Sequence, residues 1–313
     1  GGDSSERLSG CEQDLLGVVV YHLHVVNSTG VRLLGQVDSE NFPGLVRTEE
    51  LLIPAVLKGS GGCRRDVRTS GMDTADFLAA TARDGEAFAD AIDVAGLSAR
   101  VTACPQWSTA DLVWHLAEVH DFWRTIVGDH RDTWEGYEQP VRPADQDLVA
   151  FYRDGLAATL AVLAAADPMQ TNWTWSNDHS AGFVIRRMAH ETAIHAWDAQ
   201  QAAGLDVALE ASLASDGIDE FLTHMLGDGS TDAEPVGGSV HLHCTDVAGE
   251  WTLLPSEVHG FDVTREHAKG DAAIRGAASD ILLALWRRRE LSTVDVIGEA
   301  EVAARFVAHA SLD

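Results

Sequence analysis

Apolar positions recur every three or four residues through the middle of this chain and switch to every second residue near its end. Phe77, Thr81, Asp84, Phe88 and Ile92 mark a first helix with mixed inner positions. Leu112, His115, Leu116, Val119, Phe122, Trp123 and Ile126 mark a second, opened by Ser108 as N-cap with Asp111 at the third position and stopped at Gly128. Leu148, Phe151, Tyr152, Thr159 and Leu163 predict a third, closed by Asp167-Pro168. After Trp173-Thr174-Trp175 a fourth runs to Gly204, and Leu209, Leu213, Phe221, Leu222 and Met225 predict a fifth. Beyond a linker from Gly227 to Gly238 the period becomes two. Val240, Leu242 and Cys244 alternate with His241 and His243, a turn at Val247-Ala248-Gly249 leads into Trp251, and Phe261 and Val263 continue a sheet.

The fourth helix carries chemistry where core residues belong. At about 100° per residue, Val184, Met188, Glu191, His195, Asp198 and Ala202 fall within one narrow stripe. Burying Glu191 and His195 without a partner is costly, and a divalent cation compensates both. His115, on the inner face of the second helix, points inward too. Together His115, Glu191 and His195 form a His/Glu/His set that leaves a coordination position open, and the pattern predicts one divalent ion, zinc, on these three residues. Core histidines hydrogen-bonded to neighbouring carboxylates fit the same spacing. Asp198, one turn beyond His195, either orients its imidazole or caps the stripe. His120 points away from His115. Arg186 and Arg187 lie off the stripe and read as bundle-surface or interdomain residues. Cys104 reads as structural, and exposed strand positions explain His241 and His243 more simply than a metal does.

The run Trp107-Ser108 … Asp111-Leu112 … His115-Leu116, followed by Arg186-Arg187-Met188-Ala189-His190-Glu191-Thr192-Ala193-Ile194-His195 … Trp197-Asp198-Ala199, resembles the mycothiol-dependent maleylpyruvate isomerase family. The likeness continues into Thr245-Asp246 … Gly249-Glu250-Trp251 and Ile274-Arg275-Gly276-Ala277-Ala278 … Leu282-Leu283, and spans about three quarters of the chain. It implies an α + α/β fold: a DinB-like four-helix bundle over residues 72–226, then a small α/β sterol-carrier-like domain over residues 238–313. It also implies a metal held by His115, Glu191 and His195, mycothiol as cofactor, and a catalytic arginine in the C-terminal domain. Arg275 is the candidate for that role. It precedes Gly276 at a strand-to-helix junction, where a helix N-terminus favours anions, although a surface salt bridge would also account for it.

The activity implied is maleylpyruvate-type cis/trans isomerisation, or thiol transfer, on a small unsaturated acid or other electrophile. A non-catalytic metal- and ligand-binding protein and a metal-dependent hydrolase fit the same residues.

Composition narrows the partners. At 313 residues and 45% hydrophobic, the chain can bury two modest cores. A formal charge of −27 argues against nucleic acid or an anionic membrane as partner. The cysteines, Cys11, Cys63, Cys104 and Cys244, show no Cys-x-x-Cys spacing, which suits a reducing cytoplasm. No apolar run approaches the roughly 20 residues of a membrane span. Residues 1–71 match nothing in the family and read as an upstream extension, with Met72 as a natural start to the first helix. The rival reading is a small accessory segment with one strand from Gly17 to Val26.

Overall fold

The computed structural model describes residues 71–226, 235–256 and 260–310; the segment read above as an extension or accessory strand lies outside them. Its first helices are α1 (Thr74–Ala95), α2 (Thr109–Gly128), α3 (Asp145–Ala165) and α4 (Ala181–Ala202). Their starts are fixed locally. Asp73 and Asp76 form a capping box on α1, Ser108 and Asp111 form one on α2, and the Ser180 hydroxyl accepts from the Phe183 N–H on α4. On α3 no side chain caps the end, but Asp145 and Asp147 sit in the first turn, where the helix dipole favours them.

The helices pack as a ring in which α1 touches α4 and α3, and α2 touches α3 and α4. Two apolar layers fill it. One gathers Phe88, Ile92, Leu112, Leu116, Leu148, Tyr152 and Ala199, and the other Phe77, Phe122, Trp123, Leu163, Val184 and Met188. The layers meet where His120 Nε2 lies 2.9 Å from the Thr192 hydroxyl. By length and mean hydropathy (1.5), α3 alone among the described residues could cross a membrane, contrary to the reading of the sequence as lacking such a run. Here it is a bundle helix that buries Leu148, Tyr152, Leu156, Thr159 and Leu163 and ion-pairs through Arg153 with Asp90 and Asp93 on α1.

Next come α5 (Ala211–Glu220), prolonged by a π-helical turn over Phe221–Met225, and a five-stranded sheet of β1 (Val240–Cys244), β2 (Glu250–Ser256), β3 (Gly260–Thr264), β4 (Ala272–Gly276) and β5 (Asp295–Gly298). The strand order is β3-β2-β1-β4-β5, and only the β1–β4 pair is parallel. Helices α6 (Ala278–Leu285) and α7 (Ala300–His309) complete the domain. Val240, Leu242, Trp251, Leu253 and Ile274 face these helices and form a core with Ile281, Leu282, Val302 and Phe306.

The fifth helix departs from the sequence reading, which ended the bundle at residue 226. Ala214, Ile218, Phe221 and Leu222 join the core of the sheet domain, together with Ile194 and Trp197 of α4. Close approach requires Gly217, where a Cβ would stand 2.7 Å from Leu282 Cδ2 and 3.1 Å from His190 Nδ1. With bundle helices on one side and α5 on the other, α4 is buried along nearly its whole length.

Candidate metal centre

The two helices that flank the junction of the apolar layers bring His115, Glu191 and His195 together. All three are buried. Glu191 Oε1 lies 3.4 Å from His115 Nε2 and 3.1 Å from His195 Nε2, and the three donor atoms lie within 4.8 Å of one another. A tetrahedral ion with bonds of about 2.0–2.1 Å needs donors about 3.3 Å apart, so these side chains fit one cation with little movement. The Trp107 ring packs 4.9 Å from that of His115 and closes one side.

A buried polar network holds the donors in place. His195 Nδ1 lies 3.0 Å from Asp198 Oδ2, which leaves Nε2 to face Glu191. The Glu191 Oε2 atom accepts from Arg187, and Arg187 also donates to Glu220. Burial pushes the Glu191 carboxyl up, but Arg187 and the two imidazoles outweigh it and hold it well below the usual carboxylate range. For His195, burial favours the neutral ring, yet Asp198 and Glu191 outweigh it and push the imidazole up to about 9. Burial holds His115 below its ordinary value, against the pull of Glu191.

Counting charges explains the preference for a cation. This network sets Glu191, Asp198 and Glu220 against the guanidiniums of Arg187 and Arg288, leaving one negative charge that the protonated His195 ring offsets in the absence of an ion and that a bound cation would offset in its place. The Glu220 Oε1 atom is buried without a hydrogen-bond partner, which adds to the local negative field.

The profile of the mycothiol maleylpyruvate isomerase N-terminal domain matches residues 78–200, and that of the C-terminal domain of the same isomerase matches residues 212–305. The chain belongs to this family. Two solved structures are similar to it: the mycothiol-dependent maleylpyruvate isomerase, at 13% identity and a TM-score of 0.47, and a mutant of that enzyme, at 12% and 0.48. Each alignment covers 73% of this chain and 95% of the other. Among curated proteins none matches.

One arginine of the sheet domain, Arg288, which the sequence reading passed over, reaches α4 of the bundle. Its Nη2 and Nε lie 3.1 and 3.3 Å from the Asp198 carboxylate. Arg275 is not brought to the donors. Strand alternation puts it on the sheet face opposite Ile274 and the helices, half-exposed and bonded to Asp295 on β5 at 3.1 Å. The helix N-terminus beside it is occupied as well, because the first N–H of α6, on Ala278, donates to Asp246 at 2.9 Å.

Arg186 is interdomain, pairing with Asp216 and Asp219 on α5, whereas Arg187 belongs to the donor network; its position four residues before Glu191 was the available signal. His120 is buried against Thr192 and its imidazole is held down at about 4 by burial. Cys104 is half-buried, and burial, with Asp198 and Glu191 adding to it, raises its thiol above the ordinary value. One turn beyond His115, Glu118 accepts from Gln139, and burial pushes its carboxyl up to about 7 against the pull of Trp114 and Arg142.

Proposed function

We propose that the chain is a metal-dependent isomerase that uses mycothiol as an external thiol on a small unsaturated acid of the maleylpyruvate type. The observation that carries this reading is the convergence of His115 Nε2, Glu191 Oε1 and His195 Nε2 in a family whose domain profiles bear that isomerase's description. Two imidazoles and a carboxylate suit zinc and leave a position for a further ligand. Such an ion would hold the mycothiol sulfur as thiolate at neutral pH.

The protein's own groups prepare that site. Asp198 fixes His195 with Nε2 toward Glu191, Arg187 offsets the Glu191 charge, and Arg288 offsets that of Asp198. Trp107 shields His115 from water. With its pKa raised, Cys104 stays a thiol and does not compete as nucleophile. Addition of the external thiolate to a conjugated double bond leaves a single bond free to rotate; elimination then restores the double bond as the trans isomer and releases the thiol. The free thiols Cys104 and Cys244 suit a reducing compartment.

Zinc-loaded protein incubated with mycothiol and maleylpyruvate tests the reading. Cis-to-trans conversion that requires both metal and mycothiol and leaves the thiol titre unchanged supports it. A falling titre with a stable adduct assigns thiol transfer instead, and turnover independent of mycothiol refutes the reading.

A further inference from the structure

We propose that the outer face of the C-terminal sheet carries a second metal site, built from His241, Glu250 and His267 with His243 beside them against Glu250, and suited to a divalent transition ion. His241 and His243 are two apart on β1 and share a face, and Glu250 stands opposite His243 in the antiparallel register with β2. His267 comes from the loop between β3 and β4. The ring nitrogens of His241, His243 and His267 lie 3.0, 3.1 and 2.5 Å from one atom, Glu250 Oε1.

That crowding points to a cation. One carboxylate oxygen offers two lone pairs, so N–H donation cannot satisfy three imidazoles around it. Neutral imidazoles of His241 and His267 that turn their lone pairs inward make, with the carboxylate, an N₂O donor set, with His243 against the same Glu250 oxygen, and imidazole-rich sets select zinc, copper, nickel or cobalt over magnesium and calcium. The donor atoms of His241, Glu250 and His267 lie within 4.8 Å of one another, with both imidazole nitrogens within 3.0 Å of Glu250 Oε1. Arg275, next to His243 in the parallel register, turns its charge away from β1 toward Asp295 on β5.

The loop that presents His267 is anchored without an ion. Arg265 bonds Asp219 at 2.6 Å, the Glu266 carbonyl accepts from the Thr252 hydroxyl at 2.9 Å, and Asp271 accepts from Ser239. Asp219 also receives Arg186 of α4, so an ion here braces the loop that joins the sheet domain to the bundle helix.

The site is independent of the bundle donors, and zinc counting on the full chain separates the two. The chelator-stripped parent should bind two equivalents, H243A/H267A one, H115A/H195A one, and the fourfold variant none. His243 and His267 side chains are 39% and 73% exposed, so H243A/H267A should melt with the parent. Because H115A/H195A opens the bundle core, the decisive comparison is parent against H243A/H267A, which leaves the bundle untouched. A fall from two equivalents to one supports the sheet site. An unchanged count overturns it, as does a parent that binds a single equivalent lost only in H115A/H195A, which leaves the bundle site standing. A single equivalent lost only in H243A/H267A supports the sheet site and removes the bundle reading.

Discussion

Arg288 grips Asp198 from the other domain: its guanidinium nitrogens lie 3.1 and 3.3 Å from the two carboxylate oxygens, and the same carboxylate meets His195 Nδ1 at 3.0 Å. A side chain of the sheet domain therefore sets the orientation of a bundle histidine. Asp198 is fully buried and Arg288 nearly so, so this is a desolvated pair whose members depend on each other.

Arg288→Ala should consequently cost about 3–5 kcal/mol of stability, because it leaves the buried Asp198 charge with His195 in place of a full guanidinium pair. Arg275→Ala removes a pair exposed on both sides and should cost no more than about 1 kcal/mol. Urea unfolding of both variants checks the contrast, and comparable losses would contradict the placement of the two arginines.

Stability should fall as pH rises through the range set by Glu118. Its carboxyl titrates near the ordinary 4.5 when unfolded and at about 7 when folded, so the folded state holds the proton more tightly. The penalty for burying the ionised form is absent below pH 4.5, grows between 4.5 and 7, and then levels off. Glu118→Gln should thus match the parent at pH 4.5 and exceed it at pH 8 by at most about 3 kcal/mol. A difference that does not change with pH counts against the assignment.

Cys104 should be dispensable. Its raised pKa keeps it protonated, so Cys104→Ser should turn over within about twofold of the parent in the mycothiol assay, whereas loss of activity of about a hundredfold or more would make it a participant.

The helices were legible because their signals are local. Ser108 with Asp111 and the apolar spacing from Leu112 to Ile126 define α2 without reference to anything distant. The candidate ligands stood out for a related reason, as titratable groups at positions that a helix face reserves for core. Arg288 was not legible. It sits in Arg287-Arg288-Arg289, which reads as a solvated charge run, and only the fold separates the three. Arg287, at φ 55°, turns the chain after α6 and donates to carbonyls at the end of α7, Arg288 enters the bundle interface, and Arg289 pairs with Asp280 and Asp206. The choice of Arg275 rested on a real junction, since β4 does end at Gly276 and α6 does begin at Ala278. Asp246, more than thirty residues away in sequence, takes that helix end instead. The fifth helix was assigned to the bundle for a similar reason: its apolar face is evident in the sequence, but not the neighbour that covers it.

His115, Glu191 and His195 should hold one divalent ion. Anomalous diffraction at the zinc edge, from crystals of the full chain grown with zinc, tests it directly. The expected result is a peak about 2.0–2.2 Å from His115 Nε2, His195 Nε2 and a Glu191 oxygen. Zinc elsewhere in the crystal, with no peak between these three side chains, would contradict it.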